Sequence, residues 1–190
     1  VVVSAAITVA VLTVMQNPLN DLDRRVDLYV GEVGGDTGDW VGFKPHFKTL
    51  YDAIDYANEM MTPGSGGRAY QNVRIRVIGR TQEPTARLPI VIKTDGLVIE
   101  GTPFYNSDPT VAYTSEISWG ANPNITDLID LNGHKDLVFR NLAFRSNEPT
   151  TNAGCTASVF TCSSGNPSRV TIDNCRSVGF IKSFVNLNGL

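Results

Sequence analysis

The chain has 190 residues, a formal net charge of -3, 42% hydrophobic and 18% charged residues, with Gly 17 and Pro 10. That balance excludes full disorder, and Lys+Arg 16 against Asp+Glu 19 leaves no basic excess for a nucleic-acid binder. Cys 3 cannot all pair within one chain, which excludes a fold built on disulfides and leaves buried thiols.

The length suits one domain, or a smaller one with an arm. The chain begins at Val1, not Met, so it is expected to be processed or part of a longer one. Val1 to Val14 is the most apolar stretch. It is too short to cross a bilayer, which takes about 20 residues. No basic residue precedes it as in a signal peptide. Its Val, Ile and Thr content reads as an extended β arm. Val3, Ile7, Val9, Val11 and Val14 are the expected contacts with a sister chain or another protein. Gln16 to Asp27 is polar and reads as a linker, so residues 1–27 form an arm-and-linker unit.

One segment has helical periodicity. Lys48 or Thr49 opens it, and Leu50, Ala53, Ile54, Ala57 and Met61 share one face. Asp52 and Asp55 suit its positive end. Pro63, Gly64, Gly66 and Gly67 stop it. A short amphipathic helix followed by β-rich sequence is expected to cap a sheet.

Beyond residue 70 the pattern becomes short strands and turns. Val73, Ile75 and Val77 alternate with Arg74, Arg76 and Ile78, and Gly79 is expected to end that strand. Ile90 to Ile92 and Leu97 to Gly101 flank Thr94-Asp95-Gly96. They read as a hairpin or as successive sides of a coil. Internal repetition favours the coil. Leu128-Ile129-Asp130-Leu131-Asn132-Gly133 recurs as Phe184 to Gly189, with a looser copy at Val159 to Gly165. A second element starts at Leu97, Leu137 and Val170, with segments 102–127 and 146–156 as the expected loops. Alternation puts Leu137 and Phe139 inward and Val138 and Arg140 outward. Asn141 and Asn174 are expected to turn corners, because Asn tolerates left-handed backbone angles. Stacked corners of this kind would form an Asn ladder.

These repeats resemble the coils of a right-handed parallel β-helix, the pectin-lyase-like fold. The opening segment adds to the likeness: Leu28-Tyr29-Val30-Gly31, Gly34-Gly35-Asp36-Thr37-Gly38-Asp39-Trp40 and Pro45-His46-Phe47-Lys48-Thr49-Leu50 lead into the helix. It is similar to a "YV…GxD…PFxTLxxAI" pattern, with His46 interrupting the Pro-Phe pair. The resemblance implies an all-β fold: a right-handed parallel β-helix with one N-terminal capping helix and an extended N-terminal β arm. Residues 28–69 would be the capped opening and residues 70–190 the first coils, continuing beyond 190. Leu187 to Leu190 read as the start of another coil without a cap.

The fold serves many functions. The calcium-binding Asp cluster and Arg signature of pectate lyases are not found, nor are the Asn-Thr-Asp, Asp-Asp and His-Gly of polygalacturonases. Asp130 and Asp173 are the nearest approach to a hydrolytic carboxylate pair, and outward solubilising roles are expected for them. Asp36 and Asp39 could hold Ca²⁺, but turn formation is the expected role. His46 and His134 are the only histidines, and no zinc pattern exists. Cys162 and Cys175 are expected as buried thiols near each other on inward rows. Trp119, Tyr105 and Tyr113 are the candidate carbohydrate contacts. No cofactor, metal or membrane span is expected.

The chain is similar to the anchoring part of a bacteriophage tail spike or tail fibre. The expectation is a structural virion component for host attachment: a homotrimer held to tail or baseplate proteins, located in the virion and extracellular when free. A host surface glycan is the expected further partner. No catalysis is expected within these residues, although later coils could cleave glycans. The rivals are a β-helix polysaccharide lyase or hydrolase and a bacterial surface adhesin.

Overall fold

The computed structural model describes residues 25–35, 39–41, 44–62, 72–102, 115–120, 126–147, 157–179 and 181–187. The arm contacts Val3, Ile7, Val9, Val11 and Val14, and the tyrosines Tyr105 and Tyr113, lie outside them. So does Asp36, and the Asp39 side chain is likewise not described.

The opening consists of β1 (Arg25–Gly35), β2 (Asp39–Val41), β3 (Lys44–Phe47) and one helix, α1 (Leu50–Met61). Twelve strands follow: β4 (Asn72–Val77), β5 (Gly79–Glu83), β6 (Ile90–Val91), β7 (Val98–Gly101), β8 (Ser115–Trp119), β9 (Ile129–Asp130), β10 (Val138–Arg140), β11 (Ala143–Ser146), β12 (Ser158–Thr161), β13 (Thr171–Asp173), β14 (Arg176–Val178) and β15 (Ser183–Asn186). They form three sheets. The first runs β13-β10-β7-β4-β1-β3-β2, the second β14-β11-β8-β5 and the third β15-β12-β9-β6. From β4 onward, every strand pairs in parallel with the strand three places along. The chain therefore visits the three sheets in rotation, four times. This is an all-β, β-helix-like arrangement of parallel sheets.

Side-chain alternation on a strand sends every second residue to one face. In the first sheet this aligns Leu28, Ile75, Ile99, Phe139 and Ile172 in one inward column. In the third sheet it aligns Ile90, Ile129 and Phe160, with Val185 next in register but exposed. The repeats read from sequence fall in these columns: Ile99, Phe139 and Ile172 in the first sheet, and Ile129, Phe160 and Val185 in register in the third. Burying each such side chain contributes roughly 1.5–3 kcal/mol. Phe139, Phe144 and Phe160 are fully buried; Phe160 packs against the other two, and Phe144 and Phe160 meet Phe184 of the fourth turn.

Helix α1 lies where the periodicity predicts. Thr49 caps it by accepting from the Asp52 N–H at 3.1 Å, and Leu50, Ala53, Ile54 and Ala57 are buried. Asn58 fixes its other end to the third sheet. The Asn58 amide donates to the Val91 carbonyl at 3.2 Å, and its Oδ1 accepts from the Lys93 N–H at 3.0 Å.

The corners follow the expected chemistry. Asn141 and Asn174 have φ of 57° and 46°, and the Asn174 amide donates to Asn141 Oδ1 at 2.8 Å. Leu142 and Cys175 then turn back toward the interior, Leu142 fully buried and Cys175 partly. A second corner precedes the first sheet, where Gly96, Asp136 and Arg169 all take positive φ. There Arg169 grips Asp136 through both carboxylate oxygens and holds that carboxyl below the usual range. Replacing Asn174 by Ala is expected to cost about 1–2 kcal/mol, from left-handed strain and one lost hydrogen bond, and Asn174→Gly less. Urea titrations of the two variants check this; equal losses would deny the backbone contribution.

One expectation is corrected: segment 102–127 is not wholly loop, since β8 lies within it. β4 ends at Val77 beside Gly79, and Gly79, with φ of 79°, is the corner residue that also opens β5. Ile90–Ile92 and Leu97–Gly101 are successive sides of the stack, as the repetition favoured, because β6 and β7 belong to different sheets. Among the described residues, no helix is long and apolar enough to cross a membrane.

Candidate functional site

The outer face of the first sheet carries a row of alternating charge. Arg76, Glu100, Arg140 and Asp173 are successive register partners on β4, β7, β10 and β13, with Tyr29 of β1 before them. Strand spacing puts neighbours in the row about 4.8 Å apart at the backbone. Opposite charges on adjacent strands support the pairing.

Glu100 is the centre of this lattice. It meets Arg74 at 3.1 Å, Arg76 at 3.4 Å and Arg140 at 3.0 Å. Asp27 completes it with a forked pair to Arg74 at 2.9 and 2.7 Å. The depths differ. The Glu100 side chain is 15% exposed, while Arg76 and Arg140 are 40% and 44% exposed. The acid lies at the floor and the guanidinium groups face outward. Arg76 Nε is buried and makes no hydrogen bond among the described residues. Its contacts with Asp27 and Glu100 are longer, at 3.7 and 3.4 Å.

Beside this row the corner into the second sheet forms the wall of a groove of about 690 Å³. Thr102, Asn141 and Asn174 line it with Asp173, and Tyr29 and Ile78 stand at its margin. Gly101 is required at the corner. A Cβ there would lie 2.1 Å from the Asn141 carbonyl oxygen and 2.5 Å from Ser115 Cβ.

The structure separates several residues that the sequence had grouped. Asp130 and Asp173 belong to different sheets. Asp130 is buried rather than solubilising, and accepts from the Asn132 N–H at 2.9 Å, the Ser163 N–H at 3.0 Å and the Ser163 hydroxyl. It is a turn anchor between successive coils. Asp173 is exposed in the groove. The two do not form a hydrolytic pair across one sugar bond.

Trp119 is also corrected. It shares the inward face of β8 with Ile117 and is 0% exposed, so it offers no stacking surface. Its Nε1 has no hydrogen-bond partner among the described residues. Cys162 and Cys175 sit at different corners. Cys162 follows β12, and Cys175 separates β13 from β14. Both are free thiols, and burial pushes the Cys175 thiol up. His134 pairs with Asp95 at 2.9 Å on the surface, and His46 is buried beside Tyr29. Among the described residues, no cluster of His, Cys, Asp and Glu could hold a metal ion.

The sequence reading missed the groove and Glu83. Glu83 is 1% exposed at the end of β5. It accepts from the Leu50 N–H at 2.8 Å, the Tyr51 N–H at 3.0 Å and the Thr81 hydroxyl at 2.9 Å. It thus clamps the first turn of α1 to the second sheet. The charge row had a sequence signal, because aligning Leu97, Leu137 and Val170 places Glu100, Arg140 and Asp173 in one column.

Comparison with known proteins found no matching family, no matching curated protein and no matching solved structure.

Proposed function

We propose that the chain is a stretch of right-handed parallel β-helix from a bacteriophage tail spike, tail fibre or baseplate-associated protein. Its role is structural: host attachment as a virion component, with residues 1–27 docking the stack on a sister chain or a tail protein, in a homotrimer. The single observation that supports this reading is the strict pairing of each strand with the third one along, over four turns. Such a stack is stiff along its axis, because each turn is bonded to its neighbours by three ladders. The helix over the first turn agrees with the opening segment's likeness to that class. The separation of Asp130 from Asp173 favours adhesion over glycan cleavage.

Antibodies against the chain are expected to label the tails of virus particles in negative-stain micrographs. Sedimentation of the purified chain is expected to give a trimer. Label confined to a bacterial envelope would replace this reading with the surface adhesin. Cleavage of capsular polysaccharide or lipopolysaccharide, abolished in Asp173→Ala, would replace it with the enzyme.

A further inference from the structure

We propose that Asn132-Gly133 is a modification site: a deamidation point that the stacked turns hold shut and that converts when they part. The chemistry is independent of the attachment role.

The turn dictates the dipeptide. The His134 N–H donates to the Leu131 carbonyl at 2.9 Å, and Asn132 and Gly133 between them have φ of 48° and 74°. Positive φ at both central residues is the type I′ turn, which favours Asn-Gly. Packing also requires the glycine, since a Cβ on Gly133 would lie 2.7 Å from the Ser164 carbonyl oxygen of the next turn. Asn-Gly is at the same time the pairing in which asparagine deamidates fastest, because a glycine nitrogen reaches the carboxamide with no Cβ in the way. In that reaction the Gly133 nitrogen loses its proton and bonds to Asn132 Cγ, and the side-chain nitrogen leaves as ammonia. Water then opens the cyclic imide at one of its two carbonyls. Aspartate or isoaspartate is left in place of Asn132.

The stack opposes the first step. Attack needs the carboxamide to swing onto the Gly133 nitrogen, and both of its ends are tied to other turns. Nδ2 donates to the Ile92 carbonyl of the turn before at 3.2 Å, and Oδ1 accepts from the Ser164 hydroxyl of the turn after at 2.5 Å. The Asn132 N–H donates to Asp130 at 2.9 Å, and the Gly133 N–H to Cys162 Sγ at 3.2 Å. One side chain thus bridges three turns, and freeing it requires a local opening of the stack. Conversion makes that opening permanent. A carboxylate has no donor for the Ile92 carbonyl, and it sets a second negative charge near buried Asp130. Isoaspartate also adds a methylene to the main chain, in a turn without room for a Cβ at Gly133.

The test is incubation of the purified chain at mildly alkaline pH, folded and in denaturing urea. Peptide mapping by mass spectrometry follows Asn132 separately from Asn188-Gly189, which has the same dipeptide. Asn132 is expected to convert at least tenfold more slowly in the folded chain. Ser164→Ala frees one end of the carboxamide and is expected to speed conversion severalfold in native buffer, with its melting temperature measured alongside. Asn132→Asp, the product with the normal link, is expected to melt below wild type. The proposal is overturned by equal rates in folded and unfolded wild type, a comparison that needs no variant, or by no conversion of Asn132 in urea. An unchanged rate in folded Ser164→Ala would also overturn it, and Asn132→Asp melting with wild type would overturn the permanence of the opening.

Discussion

Replacing Phe160 by alanine is expected to remove about 3–5 kcal/mol of stability, the usual cost of emptying a buried aromatic site. Phe160 has no exposure and touches three other rings. The centroids of Phe139, Phe144 and Phe184 lie 4.6, 5.3 and 5.6 Å away. Phe139 shares its turn on the first sheet, Phe144 its turn on the second, and Phe184 belongs to the turn beyond. One ring therefore ties two turns and three sheets together. Its loss removes both transfer energy and edge-to-face contacts. Urea unfolding followed by circular dichroism measures the effect. Phe160→Leu keeps most of the volume and should lose about 1 kcal/mol. A loss below 1 kcal/mol for the alanine variant would mean that the third sheet collapses without strain, and that the interior is not one packed column.

Glu83→Ala is expected to cost about 3 kcal/mol, because two helix N–H groups and the Thr81 hydroxyl lose a buried acceptor at once. Glu83→Gln retains the volume and one acceptor oxygen, so a loss of about 1 kcal/mol is expected. The acid also has a pH signature. Burial pushes the Glu83 carboxyl up, against the downward pull of the Leu50 and Tyr51 N–H groups and Thr81, while Asp52 adds to the rise. A carboxyl raised in the fold stabilises the fold most below its unfolded value, and that contribution fades as pH rises through the raised value. Wild type should therefore gain stability on mild acidification relative to Glu83→Gln. Melting curves of both proteins between pH 7 and about pH 4, near the ordinary glutamate value, measure the difference. Parallel curves would show that Glu83 does not titrate across folding.

The parts of the fold that were legible are those where alternation meets repetition. Leu137 and Phe139 point inward and Arg140 outward as read, and Asn141 and Asn174 bond to each other at their corner. The first strand of the second sheet, β5, was not legible, for a physical reason. β5 reads Gly-Arg-Thr-Gln-Glu, and its inward positions are Thr81 and Glu83. Thr81 bonds to Glu83, and Glu83 in turn to the Leu50 and Tyr51 N–H groups more than 30 residues away, so local hydrophobicity carries no trace of their burial. Trp119 misled in the opposite sense, as an aromatic in polar sequence whose inward placement depends on the β8 register with β5 and β11. The groove needed both register and corner geometry. The column of Glu100, Arg140 and Asp173 was open to alignment, but the forks of Arg76 and Arg140 over one carboxylate were not.

The inward column also separates chain length from reach. Ile75, Ile99, Phe139 and Ile172 sit one strand apart in the sheet, yet 24, 40 and 33 residues apart along the polypeptide. Each circuit advances the axis by the same increment of about 4.8 Å, however much polypeptide it consumes. Surplus residues thicken the flank at a corner and leave the height unchanged. Extent is counted in circuits, and girth can be remodelled without altering it.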